Sequence, residues 1–290
     1  KQKTVGILTF HRALNYGAVL QAYALKRVCD ELGYEAHIID YDFNHGEDDA
    51  APLHRFLRAS NKKRAVFLLA REMLSHPGDQ RRSEEFRNFR RSFLDESLCC
   101  RTPEEVAALG YDVLVSGSDQ IWNPTIFPDK RFDPVFFGGF SDCRKISYAP
   151  SFGVAKLPEG MDAELKGYLE SYSHLSTRER QGQAIVKEAS GRDATVVLDP
   201  TLLLTKEEWG AMAETLPKLP EKYILCYCIN KPGALAPYIS RLAEETGLPI
   251  VQLCGIRRKV HPKAKRVLDA GPAEFLGLFA GAEYVCTNSF

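Results

Sequence analysis

Short apolar runs alternate with amphipathic stretches along most of this chain. Val5-Gly6-Ile7-Leu8-Thr9-Phe10 is a compact apolar run that reads as a buried strand. From Tyr16 to Leu32 the spacing changes to helical, through Val19, Leu20, Tyr23, Ala24 and Val28. Gly33 stands where a helix C-cap would, and Ala36-His37-Ile38-Ile39-Asp40 reads as the next strand. The first forty residues therefore predict a βαβ unit, whose ligand-binding loops lie beyond the carboxyl ends of its strands. Further strands are expected at Tyr111–Ser116, Lys145–Ala149, His174–Thr177 and Ala194–Leu198. Helices are expected near Glu159–Ser171 and Arg178–Ala189. The rhythm restarts near Lys206, with strands at Tyr223–Cys228, Ile250–Leu253 and Tyr284–Cys286 and helices near Ala234–Thr246 and Ala273–Ala280. This pattern predicts an α/β protein of two Rossmann-like domains, residues 1–205 and 206–290, without internal repeats.

Residues 52–98 interrupt the first domain with a helical insertion rich in Arg and Lys. Phe56, Phe67, Phe86, Phe89 and Phe93 are interleaved with the charges. Amphipathic helices with solvated basic faces explain this pattern, and an acceptor-binding or membrane-surface role is the alternative. The chain stops at Thr287-Asn288-Ser289-Phe290, directly after a strand, so the second domain is expected to be incomplete. Lys1-Gln2-Lys3-Thr4 leads straight into a strand with no secretory apolar region before it. The longest apolar run is well short of the roughly 18 residues that span a bilayer. The expectation is a cytoplasmic protein with no transmembrane segment.

Composition narrows the partners. Of 290 residues, 44% are hydrophobic and 26% charged, with 38 basic and 38 acidic side chains and a net charge of zero. A nucleic-acid partner would call for a basic excess, so that class is set aside. Cys29, Cys226, Cys228, Cys254 and Cys286 sit in apolar stretches typical of buried reduced thiols. Cys99-Cys100 and the Cys226/Cys228 pair lack zinc-site spacing. No metal and no cofactor is expected, and the first βα turn carries no dinucleotide fingerprint.

Several loop residues carry usable chemistry. Asn15, Tyr16 and Gly17 form the first βα turn, where Gly17 allows close backbone approach at a helix N-terminus. Asp119 follows a buried strand in Gly117-Ser118-Asp119-Gln120. It is either a proton acceptor or sugar-orienting group, or an Asx-type turn or cap. Trp122 is either a sugar-stacking surface or a core residue. Arg178 lies past a short strand at a helix start, where a guanidinium binds anions well. Its alternative is a surface pair with Glu179. His11 lies near the first loop and reads as structural or solvated rather than catalytic.

Six segments in order resemble the polysaccharide pyruvyl transferase family. They are Asn15–Leu25, Gly117–Pro124, Tyr148–Gly153, Ser176–Glu179, Asp199–Leu203 and Thr287–Phe290, and together they span nearly the whole chain. The resemblance implies two Rossmann-like domains in a GT-B-like arrangement with a cleft between them. It also implies transfer of a pyruvyl group from phosphoenolpyruvate to a sugar or lipid-linked glycan, as in exopolysaccharide synthesis. On that basis Asp119 and Arg178 are expected to be catalytic. Asn15, Tyr16, Gly17, Ser118, Gln120, Trp122, Asn123, Ser151, Asn288 and Ser289 are expected to contact substrate. In the family the Ser-Phe pair is commonly followed by His-Gly, whose histidine is implicated at the donor site, and here the sequence ends at Phe290. Two other readings are a nucleotide-sugar glycosyltransferase of GT-B type and a non-catalytic carbohydrate- or anion-binding relative.

Overall fold

A computed structural model describes residues 2–43, 77–229, 233–253 and 259–289, apart from the side chains of 77–79. The expected helical insertion before residue 77, Cys254 and Phe290 lie outside the described residues. Along the chain run β1 (Thr4–Leu8), α1 (Tyr16–Glu31), β2 (Glu35–Ile38), α2 (Pro77–Phe93), α3 (Pro103–Ala107) and β3 (Val113–Ser116). They are followed by β4 (Arg144–Ser147), α4 (Asp162–Glu170), β5 (Tyr172–His174), β6 (Ser176–Thr177), α5 (Arg180–Ser190) and β7 (Thr195–Val196). The remainder comprises α6 (Lys206–Met212), β8 (Ile224–Tyr227), α7 (Leu235–Thr246), β9 (Ile250–Leu253), β10 (Lys265–Val267), α8 (Pro272–Ala280) and β11 (Tyr284–Thr287). The chain forms two compact units, residues 1–55 with 90–204, and residues 56–89 with 205–290.

The first unit is built on a five-stranded sheet in the order β2-β1-β3-β4-β5, with every pair parallel. Strands buried on both faces need no polar alternation, which is why Val5, Ile7, Leu8, Leu114 and Val115 read as apolar runs. Gly6 is required in β1 because a Cβ there would stand 2.5 Å from the Tyr111 ring and 2.7 Å from Ile39. The expected strand His174–Thr177 is divided: β5 ends the large sheet, and β6 pairs only with β7. The four-residue 3-10 turn at Pro134–Phe137 carries Phe136 and Phe137 into the core, and a three-residue turn at Pro124–Ile126 precedes the buried Phe127. There Trp122 stacks on Phe137 at 5.1 Å and 7°.

The second unit has a four-stranded parallel sheet, β10-β9-β8-β11. Helix α2 does not belong wholly to the first domain as its place in the sequence suggested, since residues up to 89 group with the second unit. The physical reason lies in Arg81, which donates to both carboxylate oxygens of Glu274 in α8 and to the Asp269 carbonyl at 2.9 Å. Helix α8 in turn approaches the α6 side closely. The Glu214 amide donates to the Ala273 carbonyl at 3.0 Å, and a Cβ on Gly277 would lie 1.9 Å from the Glu214 carbonyl oxygen.

Gly277→Ala sets a helix-propensity gain of about 1 kcal/mol against a backbone clash. Overpacking against rigid backbone costs roughly 1–3 kcal/mol or more, so the clash prevails. The variant is expected to lower the denaturation midpoint of the second unit. A midpoint equal to wild type would show that the contact yields.

Candidate functional site

In the first unit β1 runs to β2 on one side, while its other neighbour is β3. At such a reversal the loops leaving the two strands diverge and open a crevice at their carboxyl ends. A cavity of about 460 Å³ lies there, lined among others by Phe10, Tyr41, Phe43 and Phe136 and by Arg12, Asn15, Asp119 and Gln120. Its aromatic residues pack on one another, Phe10 to Phe136 at 5.1 Å and Tyr41 to Phe136 at 5.5 Å, both edge-on. The cavity thus combines a rigid apolar lining with hydrogen-bonding groups.

Asp119 stands in the left-handed region at φ 73°, a conformation that costs a non-glycine residue free energy unless its surroundings impose it. What imposes it is a bridge to Pro150 and the Ser151 amide, which donates to the Asp119 carbonyl at 2.8 Å. The side chain accepts the Gln120 amide at 2.8 Å. Burial raises its carboxyl above the usual range; the Gln120 bond and the Arg178 charge oppose this, and Asp199 reinforces it. Gly153, at φ 61°, closes the same corner, since a Cβ there would meet Gln120 Oε1 at 2.4 Å.

Arg178 follows β6, and its amide donates to the Pro150 carbonyl at 3.2 Å. Its Nη1 donates to Asp199 Oδ2 at 2.9 Å, while Glu179 Oε2 is 3.9 Å from Nε. The principal acidic partner is therefore Asp199 rather than Glu179. Asp199 is buried and also accepts the Ser118 hydroxyl at 3.2 Å. The Ser151 hydroxyl donates to Glu179 Oε1 at 2.9 Å.

A second charged cluster backs the cavity. His11 directs Nδ1 at the Thr9 carbonyl, 3.0 Å away, and Nε2 at Asp40 Oδ1, also 3.0 Å away, with Glu96 Oε1 at 3.5 Å. Both ring nitrogens are engaged within the protein, which leaves neither to act on a substrate. The ligand atoms of His11, Asp40 and Glu96 all lie within 4.8 Å of one another. However, Arg12 grips Asp40 through two nitrogens at 2.7 and 2.9 Å, and Arg90 grips Glu96 at 2.6 and 3.1 Å. Two guanidiniums already compensate the two carboxylates, so the set does not fit a divalent cation.

The structure brings Ser118, Asp119, Gln120, Ser151 and Arg178 together at adjoining strand ends, and Asn15 and Gln120 line the cavity. Three expectations are corrected. Trp122 is completely buried, with its indole N–H directed at the Phe136 carbonyl, so it belongs to the core and presents no face to a sugar. Tyr16 is 1% exposed, because the first turn of α1 rotates it inward. Asn123 is buried and spent on a turn, accepting from the Thr125 amide and hydroxyl and donating to Gln120. Gly17 is exposed, and a Cβ there would meet only Asn15 Oδ1, at 3.4 Å, so nothing within the protein demands glycine. Asn15 caps α1 through the Ala18 amide at 3.4 Å. Sequence reasoning missed Asp199, although its motif Asp199-Pro200-Thr201 was visible, and the aromatic lining, whose members lie far apart along the chain.

In the second unit the order β10-β9-β8-β11 reverses between β8 and β11. Asn288 sits at that reversal and accepts the Ile229 amide at 3.1 Å. The Ser289 amide donates to the Thr287 hydroxyl at 3.0 Å. The seven described cysteines are free thiols. No helix among the described residues is long and apolar enough to cross a membrane.

Parallel sheets joined through helices define a mixed α/β scaffold whose loops gather at the switch points. The chain belongs to the polysaccharide pyruvyl transferase family, whose model matches residues 15–290. No curated protein is similar enough to match. Among solved structures it resembles S. aureus MnaA in complex with UDP, at 10% identity and a TM-score of 0.48, covering 100% of this chain and 75% of that one. It also resembles a UDP-GlcNAc 2-epimerase from Neisseria meningitidis, at 10% identity and a TM-score of 0.48, covering 99% and 78%. A third likeness is to the E. coli heptosyltransferase WaaC, at 11% identity and a TM-score of 0.44, covering 98% and 82%.

Burial pushes the Asp40 carboxyl up, but hydrogen bonds from His11 and Arg12 and their charges prevail and hold it well below the usual range. A depressed folded value gives stability that is present above the unfolded carboxyl's value of about 3.9 and lost as pH falls below it. Asp40→Asn strands Arg12 and His11, and is expected to cost roughly 3–5 kcal/mol at neutral pH. The variant's stability should also depend less on pH below about 4. Denaturation at pH 7 and at pH 3 checks both, and an unchanged acid limb would remove Asp40 as its source.

Proposed function

We propose that this protein transfers the pyruvyl group of phosphoenolpyruvate, an intracellular donor, to a sugar diol of a polysaccharide or lipid-linked glycan precursor. Two sugar hydroxyls bond to the enol carbon, and the bond from that carbon to the phosphate oxygen breaks. One hydroxyl proton reaches the methylene, which becomes a methyl group, and the other leaves with phosphate. The product is a cyclic ketal.

The observation that carries this reading is the joint attachment of Asp119 and Arg178 to Pro150-Ser151. The Arg178 amide donates to Pro150 and the Ser151 amide to Asp119, which sets a carboxylate and a guanidinium on one short segment. The reaction calls for such a pair. A guanidinium binds phosphate or carboxylate through two parallel hydrogen bonds. A carboxyl raised by burial is a stronger base toward a sugar hydroxyl than an exposed one. The neighbouring cavity supports an acceptor role for this unit, since its rings match the C–H face of a sugar and Asn15, Asp119 and Gln120 match its hydroxyls.

Phosphoenolpyruvate is expected to raise the melting temperature of the protein, and nucleotide sugars to leave it unchanged. Arg178→Ala should lose that stabilisation. Asp119→Asn should keep donor affinity at or above the wild-type value, because a negative charge beside the anion is removed. It should lower phosphate release in the presence of acceptor glycans by roughly 100-fold or more. Stabilisation by nucleotide sugars alone would favour a glycosyltransferase. Donor binding without phosphate release on any glycan would favour a binding protein.

A further inference from the structure

We infer that Asp199 is a positioning residue that aims the Arg178 guanidinium at the donor anion, an inference that rests on the donor-binding reading of Arg178 above. Asp199 precedes Pro200, and its Oδ1 accepts both the amide and the hydroxyl of Thr201, at 3.0 and 2.7 Å. Those two bonds are all that capping the 3-10 turn at Pro200–Leu202 requires. The second oxygen does something a cap does not need. It reaches the loop after β3 through the Ser118 hydroxyl at 3.2 Å and the loop after β6 through Arg178 Nη1 at 2.9 Å.

Each oxygen thus has its own task. Oδ1 locks the carboxylate to its own turn, and Oδ2, fixed in direction as a result, sets the guanidinium. Asp199 is only 6% exposed, whereas the Arg178 side chain keeps 20% exposure, so the buried member holds the more accessible one. A charge-assisted bond to a buried, pre-aligned carboxylate removes rotamer freedom that Arg178 would otherwise lose on binding an anion. Asp199 also touches the segment of Asp119 through Ser118, which keeps guanidinium and base in one frame.

The test is a double-mutant cycle on the 290-residue chain, with phosphoenolpyruvate affinity measured by calorimetry. Asp199→Asn places an amide N–H against the Arg178 and Ser118 donors, and is expected to weaken binding about 10-fold or more, as loss of an orienting partner does. Arg178→Ala should weaken it at least as much, and the double variant should be no weaker than Arg178→Ala alone within about twofold. Thr201→Val, which loosens Oδ1 while leaving the carboxylate in place, should give a smaller loss that also vanishes in the Arg178→Ala background. It serves as the test if Asp199→Asn does not fold. A loss on altering Asp199 or Thr201 that persists without Arg178 would overturn the positioning role, since a merely structural residue acts in either background. So would wild-type affinity in Asp199→Asn beside a weakened Arg178→Ala. Wild-type affinity in Arg178→Ala, or no binding by the unaltered protein, would overturn the donor reading and this inference with it.

Discussion

The candidate site depends on one buried carboxylate. Asp199 joins its own turn, the loop after β3 and the loop after β6 through a single side chain. A buried charge is tolerated only when its lone pairs are filled, and removal of one partner leaves the others exposed to a cost of several kcal/mol. That requirement makes the three loops cooperative. Ser118 is held beside Asp119, whose positive φ is imposed by the bridge to Pro150 and the Ser151 amide. Gly153 fits the remaining corner because any larger residue would collide with Gln120 and Asn123.

Two groups of arginines and carboxylates lie at the ends of the first unit's strands, and they differ in how fully their charges are compensated. Around His11, Asp40 and Glu96 each carboxylate is gripped by two nitrogens of an arginine, and the imidazole is engaged on both sides. Such a cluster fixes the first loop through bonds made within the protein. Around Asp119 the compensation is weaker. Its carboxyl accepts a neighbouring amide, lines the cavity and is raised by burial. Asp119 is therefore the less compensated acid of the two groups.

Most strands were legible because parallel strands buried on both faces are written as unbroken apolar runs, whereas β10 was not, since of its three residues only Val267 is buried. Their carboxyl-terminal loops were legible for the same reason, and Asp119 and Arg178 could be picked out as the polar residues immediately beyond them. Trp122 and Tyr16 show where this reasoning stops. Both sit in the right segments, but Trp122 packs among Phe137, Phe152 and Tyr172, and Tyr16 lies on the buried face of α1. The aromatic lining was illegible because Phe10, Tyr41, Phe43 and Phe136 come from three separate loops. The contacts of Asp199 beyond its own turn were illegible, since only one of its oxygens serves the turn at Pro200–Leu202.

By itself, then, the sequence determined the α/β rhythm, the position of most of the strands and the family to which the ordered loop motifs belong. These rest on local properties, namely apolar continuity, helical spacing and short polar motifs that no distant residue can alter. Tertiary structure decided the strand order, the allocation of α2 to the second unit as far as residue 89, and the partners of every buried charge. Those outcomes depend on contacts such as Asp199 with Ser118, or Arg81 with Glu274, whose members are brought together only when the chain folds. A buried charge such as Asp199 takes its partners from other segments, because burial leaves it no water to bond.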